Sequence, residues 1–127
     1  MSQPTVAIIG ASADREKFGT KSVRAHAAQG YQVFPVNPKG GQIEGIEVYK
    51  NLDEIPGERL NRVSLYVPPA VGLTLLEQIA AMGCDELWLN PGSESDELVN
   101  KARELGLEPI IACSIVDVGV NPHDLDG

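Results

Sequence analysis

The segment Thr5-Val6-Ala7-Ile8-Ile9-Gly10 constrains the fold more than any other part of the chain. Five apolar or β-branched residues run without alternation and stop at a glycine, the pattern of a strand covered on both faces. Residues 11–18 are polar and charged. From Gly19 to Gln29 the composition turns helical, with Val23 and Ala27 assigned to one face, and Gly30 supplies the stop. Gln32-Val33-Phe34-Pro35-Val36 reads as a second strand, closed by the dense turn signal Asn37-Pro38-Lys39-Gly40-Gly41. Strand, helix and strand follow within about 30 residues, the size of a βαβ unit.

The alternation continues. Gln42 to Tyr49 suits short extended pieces around Gly45, and Leu52 to Ile55 suits a helical turn before Pro56-Gly57. Val63-Ser64-Leu65-Tyr66-Val67 is the next clear strand, broken by Pro68-Pro69. Val71, Leu75, Ile79 and Met82 make a helical stripe that Gly83 ends. Glu86-Leu87-Trp88-Leu89 is a short strand, followed by the loop Asn90-Pro91-Gly92. Ser93 or Ser95 caps a helix with Glu94, Asp96 and Glu97 in its first turn and Leu98, Ala102 and Leu105 on one face. Gly106 stops it, and Pro109-Ile110-Ile111-Ala112 is the last strand. Residues 114–127 show no strong period.

The expected fold is α/β: a single Rossmann-like, doubly wound parallel sheet of about five strands, with helices on both faces. At about 150 residues per domain, 127 residues are read as one domain over 1–127. Ligands of such sheets sit beyond the C-terminal strand ends. The loops beginning at Gly10, Asn37, Pro68 and Asn90 therefore form one candidate site.

Composition excludes several classes. The 43% apolar and 22% charged residues are those of a folded globular chain, and no apolar run approaches the roughly 20 residues of a membrane span. Met1-Ser2-Gln3-Pro4 lacks the basic and apolar stretches of a signal peptide, so a cytoplasmic location is expected. The net charge of −8 argues against nucleic acid. Residues 1–39 nevertheless hold five basic against two acidic side chains, while residues 40–127 hold five against 16. A positive N-terminal third suits a small anion, and chance segregation of surface charge is the competing reading. Cys84 and Cys113 belong to no Cys-x-x-Cys pair, and His26 and His123 stand in no metal-ligand spacing, so a zinc hydrolase is excluded. Both thiols are expected to be small buried hydrophobes, although Cys113 falls on the ligand edge of the sheet.

The first loop is neither of the common phosphate signatures. Ser12 and Arg15 replace two glycines of Gly-x-Gly-x-x-Gly, and Gly19-Thr20-Lys21-Ser22 does not contain Gly-Lys-Ser. Gly10, Ala11, Ser12 and Gly19 still allow backbone N–H groups and a helix N-terminus to approach a phosphate. A tight turn with no ligand explains the same residues. At the end of the second strand, where NAD-binding folds carry Asp or Glu, stands Asn37, followed by Lys39. A lysine there suits a phosphorylated ribose; an exposed lysine in a Pro-Gly turn is the alternative.

Four segments in order resemble the CoA-binding domain family: Val6 to Ser12, Val36-Asn37-Pro38-Lys39-Gly40, Leu65-Tyr66-Val67-Pro68-Pro69 and Trp88-Leu89-Asn90-Pro91-Gly92. That family includes small stand-alone bacterial proteins and is similar to the N-terminal domain of the succinyl-CoA synthetase alpha subunit. The resemblance covers Val6 to Cys113. It implies that the loop from Gly10 to Gly19, with Lys17, binds CoA phosphate. It implies further that Pro38 to Gly41 reach the nucleotide end, and that Tyr66, Val67, Pro68 and Pro69 line the cofactor, as do Asn90 and Gly92. Neither histidine matches the phosphorylated histidine of the synthetase, and its second domain has no counterpart here. The expected function is therefore binding of CoA or an acyl-CoA as a carrier, sensor or regulator, without catalysis by the isolated chain and without nucleic-acid or membrane partners. A homodimer or a further protein partner stays open. The alternatives are a redox regulator that binds NAD(H) or another adenine nucleotide, and a ligand-free interaction subunit.

Overall fold

A strand buried on both faces must lie inside a sheet, and Thr5–Ile9 does. The structure is a computed structural model and describes residues 3–11, 17–56 and 59–118. Its elements are β1 (Thr5–Ile9), α1 (Phe18–Ala28), β2 (Gln32–Val36), β3 (Gln42–Ile43), β4 (Ile46–Glu47), a 3₁₀ turn (Leu52–Glu54), β5 (Leu60–Leu65), α2 (Pro69–Met82), β6 (Cys84–Leu89), α3 (Asp96–Glu104), β7 (Pro109–Ile111) and α4 (Ser114–Asp117). The main sheet has the order β2-β1-β5-β6-β7, and every pair in it is parallel. Ala7 lies opposite Phe34 on one side and Val63 on the other. The chain leaves β1 toward β2 and later returns to its other side at β5, so the switch point lies between β1 and β5.

The period-two pleat divides β1 between two cores. Ala7 and Ile9 join Val63, Leu65, Leu87 and Leu89 beneath Leu76 and Ile79 of α2 and Leu98 and Ala102 of α3. Val6 and Ile8 face Val23 of α1 on the opposite side. The expected doubly wound α/β sheet is present, with α1 and α4 on one face and α2 and α3 on the other.

Three local expectations are corrected, while the connection from β2 to β5 follows its expected pattern. The extended pieces expected around Gly45 are the antiparallel β3–β4 hairpin, turned by Glu44 and Gly45 at φ 52° and 77°, and the helical turn expected at Leu52 to Ile55 is the 3₁₀ turn. Ala27 is exposed, because α1 buries Gly19, Thr20, Ser22, Val23, Ala25 and His26, a largely polar face. Val71 is 45% exposed, whereas Gly72, Leu76 and Ile79 form the buried line of α2. A Cβ on Gly72 would stand 2.8 Å from Leu98 Cδ1, so α2 and α3 approach at a residue that carries no apolar side chain to betray it. β5 ends at Leu65, which leaves Tyr66 and Val67 beyond the sheet edge.

Of the two candidate caps, Ser95 accepts from Leu98 N at 3.1 Å, and Ser93 instead donates its hydroxyl to Leu65 O. Asp96 and Glu97 at the start of α3 and Lys101 and Arg103 in its last turn complement the helix dipole, each by a few tenths to about 1 kcal/mol. Among the described residues, no helix is long and apolar enough to cross a membrane.

Candidate functional site

β1 ends at Gly10, whose φ of +96° is open to glycine and strained for other residues. The close approach is as restrictive as the dihedral. A Cβ there would lie 2.7 Å from Tyr66 O, and the Gly10 N–H donates to Val36 O at 3.1 Å. Gly19, in the first turn of α1, would place a Cβ 2.5 Å from Gly10 O. The N-terminus of α1 therefore rests directly on the turn that ends β1. No side chain caps it at Lys17 and no acidic residue occupies its first turn. The first-turn N–H groups of a helix and the positive end of its dipole suit an anion. Ala11 is buried, and Ser12 lies outside the described residues.

Three adjoining cavities follow the strand order across this edge. The largest, of about 340 Å³, brings Gly10, Lys17 and Gly19 from the first loop to Tyr66, Val67 and Pro68 from the third and Gly92 from the fourth. A second, of about 150 Å³, shares Gly10 and Val67 with it and extends over β2 between Val36, Pro38, Leu52 and Leu75. A third, of about 70 Å³, shares Phe18, Tyr66 and Pro91 with the first and reaches Asn90 and Cys113. Together they form a trough from β2 to the start of α4.

The predicted residues divide between lining and bracing. Asn37 braces: its Nδ2 donates to Ala11 O at 2.6 Å and its Oδ1 accepts from Lys39 N at 2.8 Å, tying the first two loops together. Lys39 is exposed, and the cation that lines the cavity over β2 is Lys50, which sequence reasoning did not single out. Pro69 is the first residue of α2, where a missing N–H costs nothing. Cys84 is buried, and burial pushes its thiol up to about 11. Cys113, expected to be buried, is half-buried and lines the third cavity.

Asn90 is 1% exposed and spends all its hydrogen-bonding capacity internally. Nδ2 donates to Ser64 Oγ at 2.7 Å and Leu65 O at 2.9 Å, and Oδ1 accepts from Ser114 N at 2.9 Å and Ser114 Oγ at 3.1 Å. Ser64 and Ser114 hydroxyls meet at 2.7 Å, and Tyr66 reaches Ser114 Oγ at 3.0 Å. One proton arrangement satisfies every partner. Asn90 donates to Ser64, Ser64 to Ser114, and Ser114 back to Asn90, while Tyr66 donates into this ring. Burial raises the Tyr66 pKa above its ordinary value, against the lowering effect of its serine hydrogen bonds, so the phenol stays neutral.

A second polar group lies deeper on the same face. Arg62, 5% exposed, binds Glu86 Oε1 at 2.9 Å and Asp117 Oδ2 at 2.7 Å, with Trp88 and Tyr31 rings 4.7 and 5.4 Å from its guanidinium carbon. His26 Nδ1 lies 2.9 Å from Ser22 O and Nε2 lies 3.4 Å from Arg62 Nη1. A carbonyl only accepts and a guanidinium only donates, so these partners assign a neutral ring protonated at Nδ1. Burial, the largest cause, lowers the His26 pKa to about 4. The Asp117 bridge holds α4 to the sheet and so fixes Ser114 beneath Tyr66. In sequence, the alternation Arg62-Val63-Ser64-Leu65 was the available sign that one face of β5 is polar.

Sheet order, winding and ligand edge define a doubly wound α/β domain of the Rossmann-like class. Residues 4–119 match the CoA binding domain family, and the chain belongs to that family. It is 33% identical over 131 residues to the alpha subunit of acetate–CoA ligase (ADP-forming) II of Pyrococcus furiosus, a match spanning 93% of this chain and 28% of the relative's length. Among solved structures, a conserved hypothetical protein from Pyrococcus furiosus superposes with a TM-score of 0.80 at 31% identity, covering 90% of this chain and 98% of its own. A Thermus thermophilus structure superposes with a TM-score of 0.80 at 26% identity, covering 98% and 91%.

Proposed function

We propose that this chain binds CoA or an acyl-CoA along the trough and does no chemistry of its own, acting as a carrier, sensor or regulatory module in the cytoplasm. The observation that carries this reading is the contact between the α1 N-terminus and the Gly10 turn, set between two larger cavities that share Gly10. The pyrophosphate takes the backbone at Gly10 and Gly19 with Lys17 beside it. The adenosine lies toward Pro38, where Lys39 and Lys50 supply positive charge for the 3′-phosphate. The pantetheine arm follows Tyr66, Val67, Pro68 and Gly92. Membership of the CoA-binding domain family supports the ligand class. The acetate activation named for the curated relative belongs to a chain of which this one spans 28%. The present chain is proposed to supply cofactor binding, alone, as a homodimer or with a further protein partner.

Asn37 weighs against NAD(H). An acidic residue at this place would accept from the ribose hydroxyls, whereas Asn37 carries no charge and is already bonded to Ala11 O and Lys39 N. Thermal unfolding with CoA, dephospho-CoA and NAD tests the ranking. CoA at 100 times its dissociation constant stabilises by about 2.7 kcal/mol, which corresponds to on the order of 10 °C for a domain of this size. A larger shift with NAD would transfer the reading to the redox alternative.

A further inference from the structure

We infer that the 70 Å³ cavity lined by Phe18, Tyr66, Asn90, Pro91 and Cys113 seats the thiol end of the bound CoA, and that it admits an uncharged acyl group of about two carbons. The inference rests on the function proposed above. With the adenosine toward β2 and the pyrophosphate at Gly10, the rest of an extended cofactor runs toward β6. The trough ends in this cavity, which shares three lining residues with the larger one beside it.

Size follows from the volume. A water's share of liquid volume is about 30 Å³, so the cavity holds on the order of two to four heavy atoms. Its walls on one side do not yield easily. Asn90 is held by four hydrogen bonds, and Tyr66 is tied through its hydroxyl to Ser114. Displacing either breaks a buried network, so a longer chain meets a fixed end rather than a soft one. Phe18 is the movable wall: it is 53% exposed and lies at the first residue of α1, with Lys21 Nζ 5.5 Å from its ring.

Charge selection follows from the lining. None of the five residues carries a positive charge, and Asn90 has no free donor. A carboxylate at the end of the acyl group would lose water and gain no ion-pair partner there, which is costly. A thiol, thiol ester methyl or acetyl carbonyl loses far less.

The test uses the full chain and titration calorimetry with CoA, acetyl-CoA, hexanoyl-CoA and malonyl-CoA. Acetyl-CoA is expected to bind within threefold of CoA, and hexanoyl-CoA and malonyl-CoA at least tenfold more weakly. Phe18→Ala and, separately, Cys113→Ala enlarge the cavity and are expected to bring the CoA to hexanoyl-CoA affinity ratio below three, while leaving malonyl-CoA disfavoured. Alkylation of Cys113 by iodoacetamide, read by peptide mass, supplies a second measure that needs no variant; saturating acetyl-CoA, which has no free thiol to consume the reagent, should slow it at least fivefold. Hexanoyl-CoA and malonyl-CoA binding within threefold of CoA, or unchanged Cys113 alkylation under saturating acetyl-CoA, would overturn the assignment while leaving CoA binding intact. Failure of all four compounds to bind would remove the function proposed above and this subsite with it.

Discussion

Asn90→Ala removes the member of the polar ring that touches the most partners, and its consequences can be counted. The substitution does not leave four equal defects. Leu65 O keeps the hydroxyl of Ser93 at 3.1 Å, and the Ser64 and Ser114 hydroxyls keep each other at 2.7 Å. The Ser114 N–H, on a fully buried residue, loses its acceptor outright. One unsatisfied buried donor costs about 1–3 kcal/mol, and the space left by the amide adds to it, for a total of roughly 2–4 kcal/mol. Trp88, the chain's single tryptophan and 5% exposed on the adjacent strand, reports unfolding by its fluorescence. With a urea slope of about 1–3 kcal/mol/M, the midpoint should fall by on the order of 1–2 M. CoA affinity should fall as well, because Tyr66 loses the support that orients it. Asn90→Asp separates polarity from shape. It keeps an acceptor for Ser114 but places a carboxylate opposite Leu65 O. The folded-state pKa of that carboxyl is raised above its unfolded value, so its deficit relative to the parent should grow as pH rises from 5 toward 8. A loss below about 1 kcal/mol for Asn90→Ala, with CoA affinity unchanged, would refute the view that this ring holds the site.

Three further outcomes are expected. Gly19→Ala should destabilise by about 1–3 kcal/mol and weaken CoA binding, although Gly to Ala in a helix ordinarily stabilises, because its Cβ would meet Gly10 O at 2.5 Å; a more stable variant in urea unfolding would contradict this. His26 has a folded pKa of about 4 against 6.5, so the unfolded chain binds the extra proton between those values and stability falls as pH drops through that window, by about 3 kcal/mol in all; an NMR titration of its ring above pH 6 in the folded protein would refute the buried neutral assignment. Lys39→Ala and Lys50→Ala should each weaken CoA about fivefold to tenfold and leave dephospho-CoA nearly unaffected in calorimetry; equal losses for both ligands would move those lysines away from the 3′-phosphate.

How much of this was legible depends on whether a residue acts through its own periodicity or through a distant partner. Thr5–Ile9 announced itself because a five-residue apolar run has no other stable place than a covered strand. The loop positions followed from parallel winding, which gathers the C-terminal strand ends at one edge whatever their sequence separation. Gly72 was hidden for the opposite reason: its contribution is the absence of a Cβ, so the apolar stripe was drawn through Val71 instead. The hairpin between β2 and β5 was legible only as extended pieces around Gly45, because its strands are two residues each, too short for alternation to fix their pairing.

The polar interior was the hardest part to read, and it holds the edge of the site in place. Arg62, Ser64, Ser114 and His26 each look like ordinary surface residues in the sequence, since burial of such groups is costly unless every hydrogen bond is matched. The matching is what the fold supplies. Ser64 and Ser114 lie 50 residues apart and meet only because β5 and α4 share a face, and Arg62 meets Asp117 across 55 residues for the same reason. No local pattern encodes a partner at that distance. Asn90 illustrates the consequence: the Asn90-Pro91-Gly92 segment pointed to a residue that touches the cofactor. The structure makes its side chain a bracket whose donors and acceptors are already used. Any selectivity of the adjoining cavity must therefore come from shape, from the exclusion of charge and from the movable ring of Phe18, rather than from a hydrogen bond offered by Asn90.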